Sequence, residues 1–447
     1  MGVRSALTLL PLAAIVALFC LYAYAMQPHM NGYVSDEIWY VSAARNFINE
    51  VGLGRDLAGF GVTVSPYPGC APANASPAVY YGDYGMAWFN KSVPAVYEFA
   101  STSPGCTIRF GYYYPDESGI LTYINLEHPW FAKYFMVAAM LWLGDRPPYW
   151  RVPSIVLSAA SLVLTYLAAL MLTKNARYAS LASALLLMDA TFRDEGILAM
   201  LDAYVGFFTV LSVYLYLRNK PLSSAVAGGL GIASKYPGAF PVLAMTYAEL
   251  YGRGARRAAI YLGLALLLYA LPQIPIIYLV GGIHNYVTDT IFYLKWFTES
   301  RPPGPVASNP FDWLIGTDSF VSDYSPPLYA SGLPGAYLVA IALSILMLEP
   351  HLRARLFREM NWRELAVPAS LLASWLGYWA VYAAGNHTLY SYYTIQFAAL
   401  VPLTLVLAMQ RANERSRAWM IIAAAAGIGY GVGVQWRQLY SIIQYLA

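Results

Sequence analysis

Residues 6–26 form a charge-free apolar run of about the 20 residues that a helix needs to cross the bilayer core. Ten further apolar segments follow, at roughly 130–143, 152–172, 178–187, 197–217, 225–250, 258–280, 336–348, 365–384, 389–409 and 418–434. A chain built this way is an all-α polytopic membrane protein, with an odd number of spans, about 11 to 13. Composition excludes the soluble alternative. Of the 447 residues 59% are hydrophobic and 11% charged, where a soluble domain carries about a quarter of its residues charged. The formal charge of +3 comes from 27 basic and 24 acidic residues spread along the chain, so no basic face fit for nucleic acid is implied.

Charge bias sets an expected orientation. Arg4 flanks the first run, which exceeds the roughly 7–15 residues of a signal-peptide core and reads as a retained span with a cytoplasmic N-terminus. Residues 27–128 then lie outside. Clusters at Arg253, Arg256 and Arg257, at Arg353 to Arg358 and at Arg411 to Arg417 read as cytoplasmic loops. Strict alternation, however, puts Lys174 and Arg177, and again Arg218 and Lys220, on sides that this bias does not support consistently. Either the short 130–143 segment fails to cross, or the 225–250 segment is broken at Ser234-Lys235-Tyr236-Pro237-Gly238. The expected divisions are a first transmembrane helix at 1–26, an external loop at 27–128, helices at 129–280, a second external loop at 281–334, and C-terminal helices at 335–447.

Cys70 and Cys106 both fall in the first external loop, an oxidising environment, and are expected to form a disulfide. Cys20 lies inside the first span and reads as a small apolar core residue. Asn74-Ala75-Ser76, Asn90-Lys91-Ser92 and Asn386-His387-Thr388 are glycosylation sequons, all on one expected side.

Chemistry in such a chain comes from ionisable groups in or beside the membrane, where they are costly to keep. Asp36-Glu37 follows the first span, and in an adjacent pair the carboxylate without a nearby cation is tuned toward general-base work. Glu127, His128 and Lys133 set an acid, an imidazole and an ammonium within about two helical turns, a seat for an anionic head group. Arg193-Asp194-Glu195 precedes Asp202 by a spacing that lets Glu195 and Asp202 share one helix face, and Arg193 and Asp202 form a candidate ion pair. Lys235 sits in the Ser-Lys-Tyr-Pro-Gly break.

Seven motifs stand in a telling order: Asp36-Glu37, Glu127-His128-Pro129 with Lys133, Trp150-Arg151-Val152-Pro153, Arg193 to Asp202, Gly231 to Gly238, Ser308-Asn309-Pro310-Phe311-Asp312-Trp313, and Tyr390-Ser391-Tyr392-Tyr393. In that order and over most of the chain, the sequence resembles the dolichyl-phosphate-mannose protein mannosyltransferases and aminoarabinose transferases of the GT-C glycosyltransferase superfamily, in a prokaryotic, archaeal form. The resemblance implies a GT-C transmembrane helix bundle whose large first external loop bears short interfacial helices. It implies a multi-pass plasma-membrane enzyme with its active site on the external face. The donor would be a sugar, mannose foremost, on a polyprenyl or dolichyl phosphate among the membrane lipids. The acceptor would be a protein Ser or Thr, a surface lipid or a glycan. By the same resemblance Asp36 is the catalytic base and Glu37 orients base or acceptor. His128, Lys133, Arg151, Arg193 and Lys235 would serve the lipid phosphate, with Glu127 and Asp202 orienting substrate.

Two departures bear on head group and metal. The chain reads His128-Pro129-Trp130 where His-Pro-Pro is common, and it lacks the histidine often found just upstream of the Ser-Asn-Pro motif. No cofactor is required, although Asp36, Glu127 and Asp202 are carboxylates available to a divalent cation. The rival class is a lipid flippase or secondary transporter, which would bury its key charges near mid-span rather than at the edges.

Overall fold

The computed structural model describes residues 3–51, 53, 64–65, 75–81, 85–90, 123–296 and 306–446. Helix α1 (Val3–Met26) carries the first apolar run, and α2 (Glu37–Glu50) follows a short 3₁₀ turn. Strands β1 (Val64–Ser65), β2 (Ala75–Tyr81) and β3 (Gly85–Asn90) form an antiparallel sheet in the order β1-β3-β2. Next come α3 (Phe131–Leu143), α4 (Pro147–Thr173), α5 (Ala176–Met188), α6 (Ala190–Glu195), α7 (Leu201–Leu217), α8 (Pro221–Ser234) and α9 (Ala239–Arg253). They are followed by α10 (Ala255–Ala270), α11 (Ile274–Leu279), α12 (Ile283–Trp296) and α13 (Asp312–Ile315). A hairpin of β4 (Phe320–Tyr324) and β5 (Pro327–Ala330) precedes α14 (Ala336–Leu348), α15 (Pro350–Leu356), α16 (Trp362–Ala383), α17 (Leu400–Arg411) and α18 (Glu414–Leu446).

These elements belong to two compact units. The larger comprises Met1–Met26, Leu126–Ala132 and Ser154–Ala447; the smaller comprises Gln27–Asn125 and Lys133–Pro153. Cys70 and Cys106, and with them the expected disulfide, lie outside the described residues, as does Asn74. Cys20 is exposed on α1 rather than packed in a core, so it faces the surroundings of the bundle. Asn386 is buried, and its side-chain oxygen accepts a hydrogen bond from the Thr388 N–H.

Among the described residues five helical stretches are long and apolar enough to cross a membrane: Leu9–His29, Pro147–Thr173, Ala255–Leu279, Trp362–Ala383 and Glu414–Leu446. A sixth span arises if α14 and α15, bent by 103°, count as one. Length and composition alone thus pick out fewer helices than the 11 to 13 spans expected. The reason is local: four more apolar helices, α3, α5, α7 and α17, are only 10–17 residues long, short of the roughly 20 that cross unaided. The 225–250 segment is indeed broken, with α8 and α9 meeting at a 3₁₀ turn, Tyr236–Gly238.

The awkward basic residues of the middle find a common place in the larger unit. Lys174 at the α4–α5 turn and Leu217 at the end of α7 line one cavity with Arg363 and Arg411. The Arg253 side chain donates to the Asn219 side chain in the α7–α8 turn and lies 5.0 Å over the Trp362 ring. Phe357, after α15, bridges to Ala412, after α17. The turns carrying Lys174, Arg218, Arg253, Arg358 and Arg411 therefore gather at one end of this unit, called the basic end below. The 225–250 segment fails as one pass because α8 and α9 meet at the Tyr236–Gly238 turn and run back to the same end of this unit.

Close helix approach in the larger unit depends on small residues, as is usual where lipid removes the hydrophobic drive between helices. A Cβ on Gly229 of α8 would meet the Ala265 carbonyl oxygen of α10 at 2.4 Å, and one on Gly238 would meet the Gly231 carbonyl carbon at 2.5 Å. The second contact holds the α8–α9 break closed. Gly238→Ala is accordingly expected to cost about 1–3 kcal/mol through overpacking. A lowered unfolding temperature of the purified protein in detergent would show it; an unchanged one would mean that the break relaxes freely.

Candidate functional site

In the smaller unit the backbone from Gln27 to Glu37 is folded around one guanidinium. Arg151 donates from Nε and Nη2 to the two Glu37 carboxylate oxygens at 2.7 and 2.6 Å. Its remaining N–H groups reach the carbonyls of Met30 (2.7 Å) and Gly32 (2.6 Å) and the Gln27 side chain (3.4 Å). Both Arg151 and Glu37 have no exposed surface. Glu37 Oε2 also accepts from the Val34 N–H at 2.8 Å, closing the turn that starts α2. With its five N–H groups committed, Arg151 has none to give a phosphate, which corrects the role expected of it. Glu37 is likewise a fastener of the loop.

Asp36 differs. It is half-buried, its backbone oxygen accepts from the Trp39 and Tyr40 N–H groups at the start of α2, and its Oδ2 accepts from the Tyr40 hydroxyl at 3.3 Å. Ser35 before it takes φ +54°, the left-handed region, so the turn that presents Asp36 is tightly specified. A second buried pair, Arg45 to Asp145 at 2.6 Å, braces the same helix, with Arg45 5.8 and 5.9 Å over the stacked rings of Tyr33 and Trp150. Sequence reasoning missed this pair. Arg45 lies eight residues beyond Glu37, close to the same face of α2, which is the signal that could have found it; nothing marked Asp145. Lys133, fully buried, donates to the Asn125 carbonyl at 3.0 Å, and Asn125 itself takes φ +55°.

The larger unit brings together a different set. Asp202, in the first turn of α7, has no exposed surface and accepts from Lys235 Nζ at 2.8 Å and from the Gln396 amide. Lys235 caps α8 in an extended conformation and lies 4.7 Å over the Tyr393 ring and 5.8 Å over Tyr392. Tyr393 in turn stacks on Tyr378 at 5.4 Å. Thus Asp202, the α8–α9 break and the Tyr390–Tyr393 motif form one buried cluster, which the sequence treated as separate candidates; Gln396, three residues past that motif, was not anticipated.

Arg193 is not Asp202's partner. It pairs with Asp194 at 2.8 Å, and Asp194 also accepts from the Tyr22 hydroxyl (2.7 Å) and the Tyr329 N–H (2.9 Å). Glu195 accepts from the Ser322 hydroxyl. This trio therefore fastens α6 to α1 and to the β4–β5 hairpin. Glu195 and Asp202 do not share a helix, because α6 ends at Glu195 and α7 starts at Leu201. Glu127 and His128 are half-buried, and Glu127 lies within electrostatic reach of the Tyr236 and Tyr293 hydroxyls. The Ser308–Trp313 motif closes on itself, with Asp312 accepting from the Asn309 N–H at 2.8 Å and the Trp313 indole donating to Ser308 at 2.8 Å. Among the described residues no three His, Cys, Asp or Glu side chains converge as metal ligands.

Residues 121–272, which hold Glu127, His128, Lys133, Arg151, Arg193, Asp202 and Lys235, match the family of dolichyl-phosphate-mannose-protein mannosyltransferases. The fold is similar to that of ArnT from Cupriavidus metallidurans, solved with undecaprenyl phosphate bound, at a TM-score of 0.51 and 15% identity. That similarity covers 97% of this chain and 73% of ArnT. The family match thus covers about a third of the chain, and the likeness to ArnT is one of fold. Similarity to the oligosaccharyltransferase of Archaeoglobus fulgidus is weaker, at a TM-score of 0.45 and 12% identity, over 97% of this chain and 56% of the archaeal protein. No curated protein matches the chain by sequence. The family match begins after Asp36 and Glu37, so the acid pair rests on its own geometry.

Proposed function

We propose that this chain is a GT-C glycosyltransferase that moves a sugar, mannose foremost, from a polyprenyl or dolichyl phosphate to an acceptor hydroxyl. Asp36 takes the hydroxyl proton as the oxygen attacks the anomeric carbon. The bond from that carbon to the phosphate oxygen breaks, the lipid phosphate leaves with the bonding pair, and the centre inverts. Charge growing on the phosphate calls for cations, a role assigned to the half-buried His128, with the half-buried Glu127 orienting substrate; Lys133, Arg193, Lys235 and Asp202 act from their buried bonds as positioning residues.

The observation that carries this reading is the division of labour in the acid pair. Glu37 is wholly buried on Arg151, whereas its neighbour Asp36 is half-buried at the start of α2, its carboxylate accepting from the Tyr40 hydroxyl at 3.3 Å. A base must reach solvent-borne substrate, and a structural carboxylate need not. Support also comes from the family match over residues 121–272 and from the likeness to ArnT, whose solved structure holds undecaprenyl phosphate.

In this reading the basic end faces the cytoplasm, because cytoplasmic loops are enriched in Lys and Arg, and transfer takes place at the outer face of the plasma membrane. Acceptors are a protein Ser or Thr, a surface lipid or a growing glycan. The test is transfer from sugar-labelled mannosyl polyprenyl phosphate in membranes containing the chain, with products separated into protein, lipid and free sugar. Label in the protein or lipid fraction supports the reading; absence of transfer from several donor sugars overturns it in favour of a flippase. No step uses a metal, so the rate is expected to be unchanged in EDTA. A chelator-sensitive rate restored by magnesium or manganese would assign a cation to Asp36, Glu127 or Asp202.

A further inference from the structure

The basic end of the larger unit contains a cavity of about 390 Å³, within the roughly 300–1,000 Å³ range of small-molecule sites. It is separate from the Asp202–Lys235 cluster: α7 runs 17 residues from Asp202's turn to Leu217 in the cavity wall, about 25 Å at 1.5 Å per residue. Three cations, Lys174, Arg363 and Arg411, line it against one carboxylate, Glu364. Glu364 is already engaged twice, by the Arg411 guanidinium and by the capping box at the start of α16.

Surplus positive charge alone would be ordinary for this end of a membrane protein, where such side chains are usually solvated. Two atoms argue otherwise. The Nε groups of Arg363 and Arg411 are buried and have no hydrogen-bond partner among the described residues. Buried donors are as a rule satisfied, so an orphaned one calls for an explanation such as an absent ion. The α16 N-terminus adds the positive end of its dipole, but Asn361 already accepts from the Arg363 and Glu364 N–H groups, which leaves the side chains to do the binding. Leu172 and Leu217 supply an apolar wall on the same cavity.

We propose that this cavity binds a phosphate group, either the head of an anionic lipid lying along the Leu172–Leu217 wall or a free phosphate. Planar guanidinium groups with unused N–H donors match phosphate oxygens, and Lys174, exposed at its turn, adds a third charge. The site does not depend on the sugar-transfer reading.

The test is the thermal unfolding of the delipidated full-length protein titrated with short-chain phosphatidic acid, with inorganic phosphate, and with short-chain diacylglycerol as the phosphate-free control. Stabilisation by phosphatidic acid alone identifies a lipid head group, and equal stabilisation by inorganic phosphate identifies the free anion. Each of Lys174→Glu and Arg363→Gln is expected to weaken the apparent affinity about tenfold, the usual scale for losing one charge-assisted hydrogen bond. Lys174 is exposed, so its variant keeps the unliganded unfolding temperature and serves if Arg363→Gln fails to fold. Stabilisation by neither phosphate probe, or the same affinity in wild type and Lys174→Glu, overturns the proposal.

Discussion

Asp36→Asn is expected to lower the rate of sugar transfer by about two to four orders of magnitude, the range attributable to a positioned general base. The substitution is nearly isosteric and keeps an oxygen able to accept from the Tyr40 hydroxyl, now 3.3 Å away. The substitution removes the carboxylate's charge and its ability to accept the proton. At about 1.36 kcal/mol per tenfold, the loss corresponds to about 3–5 kcal/mol in the barrier. Measuring initial rates with wild type and Asp36→Asn in the same membranes checks it. A rate within threefold of wild type would remove Asp36 from the mechanism and leave no other assigned base.

Arg151→Ala is expected to destabilise the protein by about 3–5 kcal/mol, the cost of leaving a buried charge without its partner. The substitution strands Glu37 with no exposed surface and orphans the Met30 and Gly32 carbonyls at once. The double variant Arg151→Met with Glu37→Gln removes both charges and should recover part of the loss. Unfolding in detergent, followed by tryptophan fluorescence, measures both. If Arg151→Ala left stability intact, the guanidinium would be a ligand-binding group after all, and the phosphate role first read from the Trp150-Arg151-Val152-Pro153 motif would return.

The membrane character of the chain was legible in the sequence because it depends on composition and run length, which survive any tertiary arrangement. The candidate residues were legible as well, since a charge inside an apolar segment stands out wherever it folds. Their partners were not. Asp202 sits 33 residues from Lys235 and 194 from Gln396, separations over which no periodic pattern speaks. Arg193 was matched with the wrong acid because its partner, Asp194, is its immediate neighbour, an arrangement that helical spacing rules do not anticipate. Length rules alone miss helices for a related reason: they assume that a helix meets lipid alone, whereas α7 and α17 are largely buried against other helices and are stable at lengths that such rules discount. The pooling of basic turns at one end was equally hidden, since it required knowing that the Lys235–Gly238 break reverses the chain.

The central claim is that Asp36 performs chemistry on a lipid-linked sugar rather than helping to hold it. Donor binding and transfer, measured side by side on purified Asp36→Asn with labelled mannosyl polyprenyl phosphate, test it most directly. The account predicts binding within about threefold of wild type together with loss of transfer. Transfer retained, or binding lost along with it, would contradict the account.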